Sequence, residues 1–299
     1  MFNLLTICYL FLGGAGAGAL ATLGILECVR AVRHASSLPD EFFARAWSLC
    51  FVALGAGMLC LLVDVGRPDR LINLLVSPTP SAIAVGAYVL VGSLVCSGAF
   101  AVLALLDAER PPHKILVGFS GLCVMLGVAT MAYTGILLQS MASVLFWQTP
   151  LLPFVFVLSS ASCGIALVFL VTPFVETRHT FMRPLVWLAR VDGGLIIAEA
   201  VCLAIYLVWG ISSEGTTLAA QALIEGPLSW QFWGGLVLCG LAVPFVLERY
   251  LTHGNHRVQL LWIAVFLLVG GFALRFCTVG AATFDETQMV ATLYGLSLG

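Results

Sequence analysis

Long apolar runs alternate with short polar connections along the whole chain. Eight runs approach or exceed the roughly 20 residues with which an α-helix crosses about 30 Å of hydrocarbon. They cover residues 4–25, 43–63, 82–106, 115–138, 151–175, 193–211, 228–247 and 260–279. Because the connections are short, the pattern predicts a single all-α polytopic membrane domain over residues 1–299, with eight transmembrane helices, numbered here as spans one to eight.

Composition supports the membrane class. Hydrophobic residues make up 61% of the 299 residues and charged residues only 9%, whereas about a quarter of the residues of a soluble domain are charged. The net charge is -2, and no basic stretch typical of nucleic-acid binding occurs. We therefore expect a lipid membrane around the protein and no nucleic acid as a partner.

The basic residues predict the orientation. Only Arg67, Arg70 and Arg275 fall toward the side of the even-numbered connections. By the positive-inside rule, both termini then face outward. No basic residue precedes Arg30, so we expect span one to be retained rather than cleaved as a signal peptide. The other ten basic residues lie in or beside the connections after spans one, three, five and seven: Arg30, Arg33, Arg45, Arg110, Lys114, Arg178, Arg183, Arg190, Arg249 and Arg257.

Cysteine and histidine positions argue against a cofactor bound by this protein alone. The ten cysteines are scattered singly and form no CxxC pair, so an iron-sulfur cluster is not expected. A membrane-embedded haem would need histidines within the spans. All five lie in the predicted inner connections: His34, His113, His179, His253 and His256. We expect no haem, no iron-sulfur cluster and no metal site.

Small residues cover every face of span one in the run Gly13-Gly-Ala-Gly-Ala-Gly-Ala19. Such residues let neighbouring helices approach to backbone distance. Close helix packing is sufficient to explain the run. A ligand lying against this flat surface is the alternative interpretation.

Two acidic residues belong to the sixth span or its start. An ionisable group at the bilayer centre costs roughly 3 kcal/mol or more unless it is paired or hydrated. Glu199 lies near the middle of span six, and Asp192 lies seven residues, about 10 Å, away on nearly the same helical face. Together they predict an inward half-channel for protons. The alternative is interhelical hydrogen bonding by a protonated Glu199.

A second polar group is predicted at the outer ends of three spans. Thr6 and Tyr9 begin span one, Asp64 and Arg67 end span two, and Tyr133 lies about one and a half turns before the end of span four. A quinone headgroup needs hydrogen-bond donors for two carbonyl oxygens and a group that exchanges protons. These residues fit that chemistry. The alternative is an aromatic belt of interfacial tyrosines with Asp64 paired to a nearby arginine.

Several motifs occur in a fixed order along the first half of the sequence. They are Tyr9-Leu-Phe-Leu-Gly-Gly-Ala-Gly-Ala-Gly18, Asp64-Val-Gly-Arg-Pro-Asp-Arg70, Pro80-Ser81 before Gly86, Tyr133-Thr-Gly135, and Trp147-Gln-Thr-Pro150 with Pro153. Together they resemble the NrfD-like family, the membrane subunits of polysulfide reductase and related molybdenum enzymes. Eight spans with outward termini also suit this family.

The resemblance implies a haem-free, quinone-reactive subunit of an oxidoreductase complex of anaerobic respiration, placed in the prokaryotic cytoplasmic (inner) membrane. Such a subunit exchanges electrons between a menaquinone-type pool and a four-cluster ferredoxin-like iron-sulfur subunit docked on its outer face. That partner in turn serves a molybdopterin catalytic subunit. The protein would therefore not act on the terminal substrate itself.

The resemblance also suggests roles for the outer residues. Tyr133 matches the tyrosine that hydrogen-bonds the quinone, while Tyr9 and Thr6 stand where the family's polysulfide reductase presents histidine and asparagine. We expect Tyr133 and Tyr9 to hold the quinone oxygens and Asp64 to accept or supply the proton. Arg67 would favour the ionised form of Asp64 through its opposite charge. Asp64 and Tyr133 are thus the expected catalytic residues.

Two other functions remain open from the sequence. In a proton-coupled secondary transporter, Glu199 and Asp192 would carry the coupling ion. Paired helix breaks near the midplane would support that function, but no such pair of Gly or Pro interruptions occurs outside span one. A passive membrane anchor without quinone chemistry is the third hypothesis.

Overall fold

The computed structural model describes residues 4–33, 38–65, 82–106, 112–141, 144–175, 182–213, 215–251 and 257–293. Over these residues the protein is helical and contains no β-strand, and eight of its helices are long and apolar enough to cross a membrane. The prediction of an all-α protein with eight spans is therefore confirmed. The outward orientation of the termini stays a prediction.

Most helices extend beyond the apolar runs that predicted them. Span six, for example, begins about three turns before its apolar run, because helical hydrogen bonding continues into the polar flank. The observed bounds are Leu4–Arg33, Asp40–Val65, Ala82–Leu105, His113–Gln139, Leu151–Val171, Met182–Ser212, Gln231–Arg249 and Arg257–Leu293 for spans one to eight.

Span seven differs from the others in its backbone. It is π-helical over Gln231–Ala242 and α-helical over Val243–Arg249. A short helix, Thr217–Ile224, precedes it, and single 3-10 turns lie at Leu145–Trp147 and Thr172–Phe174. Extended π-helix is rare and is frequently found at functional sites, so the backbone itself draws attention to this span.

Span one occupies the centre of the first half of the bundle, where it packs against spans two, four and five. Its small residues touch the backbones of its neighbours. A Cβ added to Gly18 would overlap the carbonyl of Ser160, and one added to Gly164 would overlap the backbone of Gly18. Gly127 of span four likewise abuts Ala17. The predicted close packing of the small-residue run is confirmed.

Span five joins the two halves of the bundle. It packs against spans one and four on one side and spans six and eight on the other. At the predicted outer end, the buried Trp147 indole donates a hydrogen bond to the carbonyl of Thr278 over 2.9 Å, which ties the connection before span five to span eight. Spans one and five, with 67% of their apolar windows buried, therefore form the core that positions the polar groups.

One prediction about a basic residue is wrong. The charge pattern groups Arg275 with the outer arginines, but its side chain is completely buried inside span eight. Its guanidinium donates hydrogen bonds to Ser159 and Ser160 of span five and to the carbonyl of Gly271. Arg275 is thus an internal cation rather than a topology signal. Arg67 and Arg70 lie outside the described residues.

Candidate functional site

Two of the predicted outer residues are joined directly. The Thr6 hydroxyl of span one donates a hydrogen bond to Asp64 Oδ2 of span two over 2.8 Å. Asp64 is exposed at the end of its helix, and Thr6 is half-buried. The bond holds the ends of these two spans together and leaves the second carboxylate oxygen of Asp64 available. Arg67, its expected neighbour, lies outside the described residues.

Two tyrosines lie deeper at the same end of the bundle. Tyr9 is one turn, about 4.5 Å, further into span one than Thr6, and only 1% of its surface is exposed. Its phenol interacts with that of Tyr133, which is 9% exposed, yet the Tyr9 hydroxyl completes no hydrogen bond of good geometry among the described residues. A buried polar group without a partner costs about 1–3 kcal/mol, so this hydroxyl is suited to a polar ligand.

Glycines from two neighbouring spans determine where the Tyr133 ring lies. Gly86 of span three faces the ring so closely that an added Cβ would overlap it. Gly135, two residues after the tyrosine, packs on the backbone of Pro153 at the start of span five. The family motifs therefore place Tyr133 against Tyr9 by steric fit.

A buried polar cluster lies on the other side of span one. Arg275 Nη1 is 2.6 Å from Ser159 Oγ and 2.9 Å from the Gly271 oxygen, while Nη2 is 2.7 Å from Ser160 Oγ. The guanidinium also lies over the Phe156 ring, 5.2 Å from its centroid. These contacts compensate for much of the cost of removing the cation from water.

The two acids of span six face span five. Glu199 is 4% exposed, and its carboxyl lies beside the Ser159 hydroxyl and in the field of Arg275. Asp192 is fully buried beside Ser162. The structure thus connects Glu199 to the Arg275 cluster, a neighbour that spacing along one helix could not reveal.

Glu248 is a candidate functional residue that the sequence pattern did not single out. It lies near the end of span seven, and its carboxyl faces that of Asp192. In the sequence it belongs to the polar end of an apolar run, beside Arg249, which is typical of a boundary residue. Only the rotation of span seven against span six brings it to Asp192. A charge inside the apolar run of span eight was the available signal for Arg275.

A cavity of about 440 Å³ opens beside Glu248, between spans six and seven. Gly193 and Gly194 form part of its wall, and nothing lies within 4 Å of a Cβ added at Gly194. The full lining is Val186, Ala189, Arg190, Gly193, Gly194, Ile197, Phe245, Glu248, Arg249 and Leu251. The cavity lies at the predicted inner end of the bundle.

The described side chains contain no group of three or more His, Cys, Asp or Glu residues arranged to hold a metal ion. All ten cysteines are free thiols. His113 begins span four, and the other histidines lie outside the described residues. The expected lack of haem and iron-sulfur clusters stays a prediction.

Comparison with known proteins gives one consistent result. The family described as "Polysulphide reductase, NrfD" matches residues 1–284. The C chain of the polysulfide reductase of Wolinella succinogenes is 31% identical over 288 residues, which cover 90% of each protein. Protein NrfD of Escherichia coli is 28% identical over 174 residues, 58% of this sequence and 54% of that protein. The protein described here therefore belongs to the polysulphide reductase/NrfD family and is a multi-pass membrane protein.

Proposed function

We propose that this protein is the quinone-reactive membrane subunit of an oxidoreductase complex, in the prokaryotic cytoplasmic membrane. The observation that carries the proposal is the buried Tyr9 hydroxyl, which faces Tyr133 without a hydrogen-bond partner one turn below the Thr6–Asp64 bond. Hydroxyl donors and an acid thus meet at one end of three spans. The Wolinella relative is named as one lettered chain of a polysulfide reductase, and that name supports a subunit role.

Each residue of the outer site has a distinct task. The Tyr9 and Tyr133 hydroxyls donate hydrogen bonds to the two carbonyl oxygens of the quinone headgroup, which satisfies the otherwise unpartnered Tyr9. A menaquinone-type quinol supplies two electrons and two protons when it binds there. Asp64, exposed and oriented by Thr6, exchanges protons with the outer aqueous phase. Arg67 retains its expected role of favouring the Asp64 carboxylate.

The proposed partners follow from the family resemblance. Electrons pass between the outer site and a four-cluster ferredoxin-like iron-sulfur subunit docked at the ends of spans one, two and four. A molybdopterin subunit beyond it acts on the terminal substrate. This arrangement allows a redox role for a protein whose own side chains supply hydrogen bonds and protons.

Tyr133→Phe is expected to lower quinol-linked turnover of the assembled complex roughly 100-fold, because the substitution removes one donor while keeping the ring against Gly86. General acid-base and hydrogen-bonding groups of this kind contribute about 10²–10⁴-fold. The measurement is electron transfer from a quinol analogue to an artificial acceptor, with the Michaelis constant determined separately.

Tyr206→Phe is the matched control. Tyr206 is another buried tyrosine of a span, but its hydroxyl donates to the carbonyl of Phe146 and serves packing. This variant should lose about 1 kcal/mol of stability and retain turnover. Normal turnover in Tyr133→Phe would overturn the assignment of Tyr133.

Gly86→Ala tests the position of the Tyr133 ring without touching its hydroxyl. The new Cβ would overlap the ring, so the ring must move and the quinone must lose its hydrogen-bond geometry. We expect turnover to fall at least as far as in Tyr133→Phe, since displacements of about 1 Å cost about 100-fold.

The control for this variant lies on the same helix. An added Cβ at Gly92 would meet Leu126 at 3.5 Å, an ordinary van der Waals distance, so Gly92→Ala should retain turnover. Equal activity of the two alanine variants would show that the ring position does not matter. Both proteins are first compared for assembly with the partner subunits.

The buried acids of spans six and seven would also suit a proton-coupled transporter. Proteoliposomes that contain the assembled complex separate the two functions. Quinol-dependent electron transfer that a quinone-site inhibitor blocks supports the proposal made here. Solute uptake driven by a pH gradient, in the absence of any electron donor, would favour transport.

A further inference from the structure

We propose that Asp192 and Glu248 share one proton and form a proton-loading site at the predicted inner end of a path that leads through Glu199 and Arg275 to the outer tyrosines. The inference rests on the proposed function, because quinone chemistry at those tyrosines consumes or releases the protons. Reduction of a quinone to a quinol takes two electrons from the partner and two protons. The path connects those protons to the inner aqueous phase.

The first support is the geometry of the two carboxyl groups. Asp192 is fully buried, and neither of its carboxyl oxygens receives a hydrogen bond from a donor in the described structure. The same holds for both oxygens of Glu248, and the two groups face each other. Ionised carboxylates accept hydrogen bonds but cannot donate them. A single shared proton satisfies both groups and removes one of two like charges in close contact.

Glycine makes the approach of the two carboxyls feasible. A Cβ added at Gly193, the residue after Asp192, would lie 3.2 Å from Glu248 Oε2. A side chain at this position would push the end of span seven away from span six. The contact between the acids is therefore built into the packing of the two helices.

The surroundings of the pair provide no direct counter-ion among the described residues. Ser162 of span five lies beside Asp192, and Cys163 lies between Asp192, Glu199 and Arg275. Arg190 of span six and Arg249 of span seven line the cavity, but neither forms an ion pair with a described carboxylate. A shared proton is thus the way in which this pair reduces its charge.

The cavity supplies the connection to water. Its volume of about 440 Å³ corresponds to roughly ten to fifteen waters at about 30 Å³ each. Glu248 forms part of the cavity wall and faces Asp192 on its other side. It is therefore placed to pass protons between the cavity and the buried acid.

Beyond the pair, polar side chains continue toward the outer site. Glu199 lies seven residues, about 10 Å, further along span six, beside the Ser159 hydroxyl that accepts from Arg275. On span one, an added Cβ at Gly14 would lie 2.6 Å from Ser160 Oγ, and one at the adjacent Gly13 would lie 3.6 Å from the Tyr9 ring. The path therefore ends next to the tyrosines.

The test uses the assembled complex in proteoliposomes with a quinone analogue as the redox partner. Glu248→Gln and Asp192→Asn preserve shape and remove the shared proton. Each is expected to lower proton exchange with the inner-side compartment at least 10-fold per electron transferred, as followed by a trapped pH-sensitive dye. The double variant should be no worse than either single variant, because the two groups act as one unit.

Infrared difference spectroscopy gives a readout that a merely structural role would not change. The complex should show the C=O band of a protonated carboxylic acid that shifts in D₂O, and either single variant should abolish it. Glu248→Asp should restore both the band and part of the proton exchange. Glu225→Gln, at an acid that follows the short helix, is the control that should leave both unchanged.

The outcomes separate this inference from the proposed function. If both amide variants keep wild-type proton exchange while Tyr133→Phe blocks turnover, the proton-loading site is wrong and quinone chemistry stands. If the amide variants lose proton exchange while Tyr133→Phe is fully active, the tyrosine site is wrong. Should the amide variants fail to assemble, the natural complex and Glu248→Asp decide, because the lack of a deuterium-sensitive acid band in both would equally overturn the shared proton.

Discussion

Gly164→Ala is expected to prevent the bundle from closing around span one. The new Cβ would overlap the backbone of Gly18 and Ala19, and backbone cannot move aside as the end of a flexible side chain can. Overpacking of this kind costs about 3 kcal/mol, at the upper end of its usual range. We expect little monodisperse protein on size-exclusion chromatography in mild detergent, and a strongly lowered Tm for the fraction that folds.

Gly121→Ala is the matched control on span four. No atom lies within 4 Å of a Cβ added there, and Ala has a better helix propensity than Gly. This variant should be at least as stable as the natural protein. If Gly164→Ala behaves in the same way, the close contact between spans one and five is not what holds the core together.

Arg275→Leu is expected to lower both stability and turnover. It removes three hydrogen bonds and leaves the Glu199 carboxyl buried without a nearby cation. Breaking a buried ionic arrangement by removing one partner costs about 3–5 kcal/mol. The measurement is the Tm of the purified protein together with quinol-linked turnover of the assembled complex.

A second substitution identifies the cause of that loss. In the Arg275→Leu background, Glu199→Gln should recover part of the Tm, because no buried acid then lacks its cation. Arg275→Lys retains the charge but cannot reach Ser159 and Ser160 with a planar fork, so it should lie between the natural protein and Arg275→Leu. Additive effects of the Arg275 and Glu199 substitutions would contradict an electrostatic link between them.

The sequence was sufficient for the fold because each span carries its own signal. An apolar run of about 20 residues predicts a membrane helix regardless of what surrounds it, and all eight runs became helices. The helix ends were less predictable. Span six starts at Met182, well before its apolar run, because lipid sets the apolar length while the backbone hydrogen bonds set the helical length.

The candidate site was only partly accessible from sequence. Thr6 and Asp64 could be placed together because both lie at helix ends of the same depth, and the structure brings them within 2.8 Å. The contact of Asp192 with Glu248 depends on how two helices are rotated about their axes, which hydropathy does not report. Arg275 was misjudged because a count of basic residues cannot distinguish a headgroup contact from a buried hydrogen-bonded cation.

Gly13 and Gly14, adjacent in span one, separate the tyrosine site from the Arg275 cluster with backbone alone. A partition of this kind is fixed in place by the close packing of span one, yet it is thin enough for charge on one side to be felt on the other. Redox chemistry and proton movement can then be linked electrostatically across a stationary wall. No rocking of helix bundles is needed for such a link, so this protein has the design of a proton wire beside a redox site rather than that of a gated carrier.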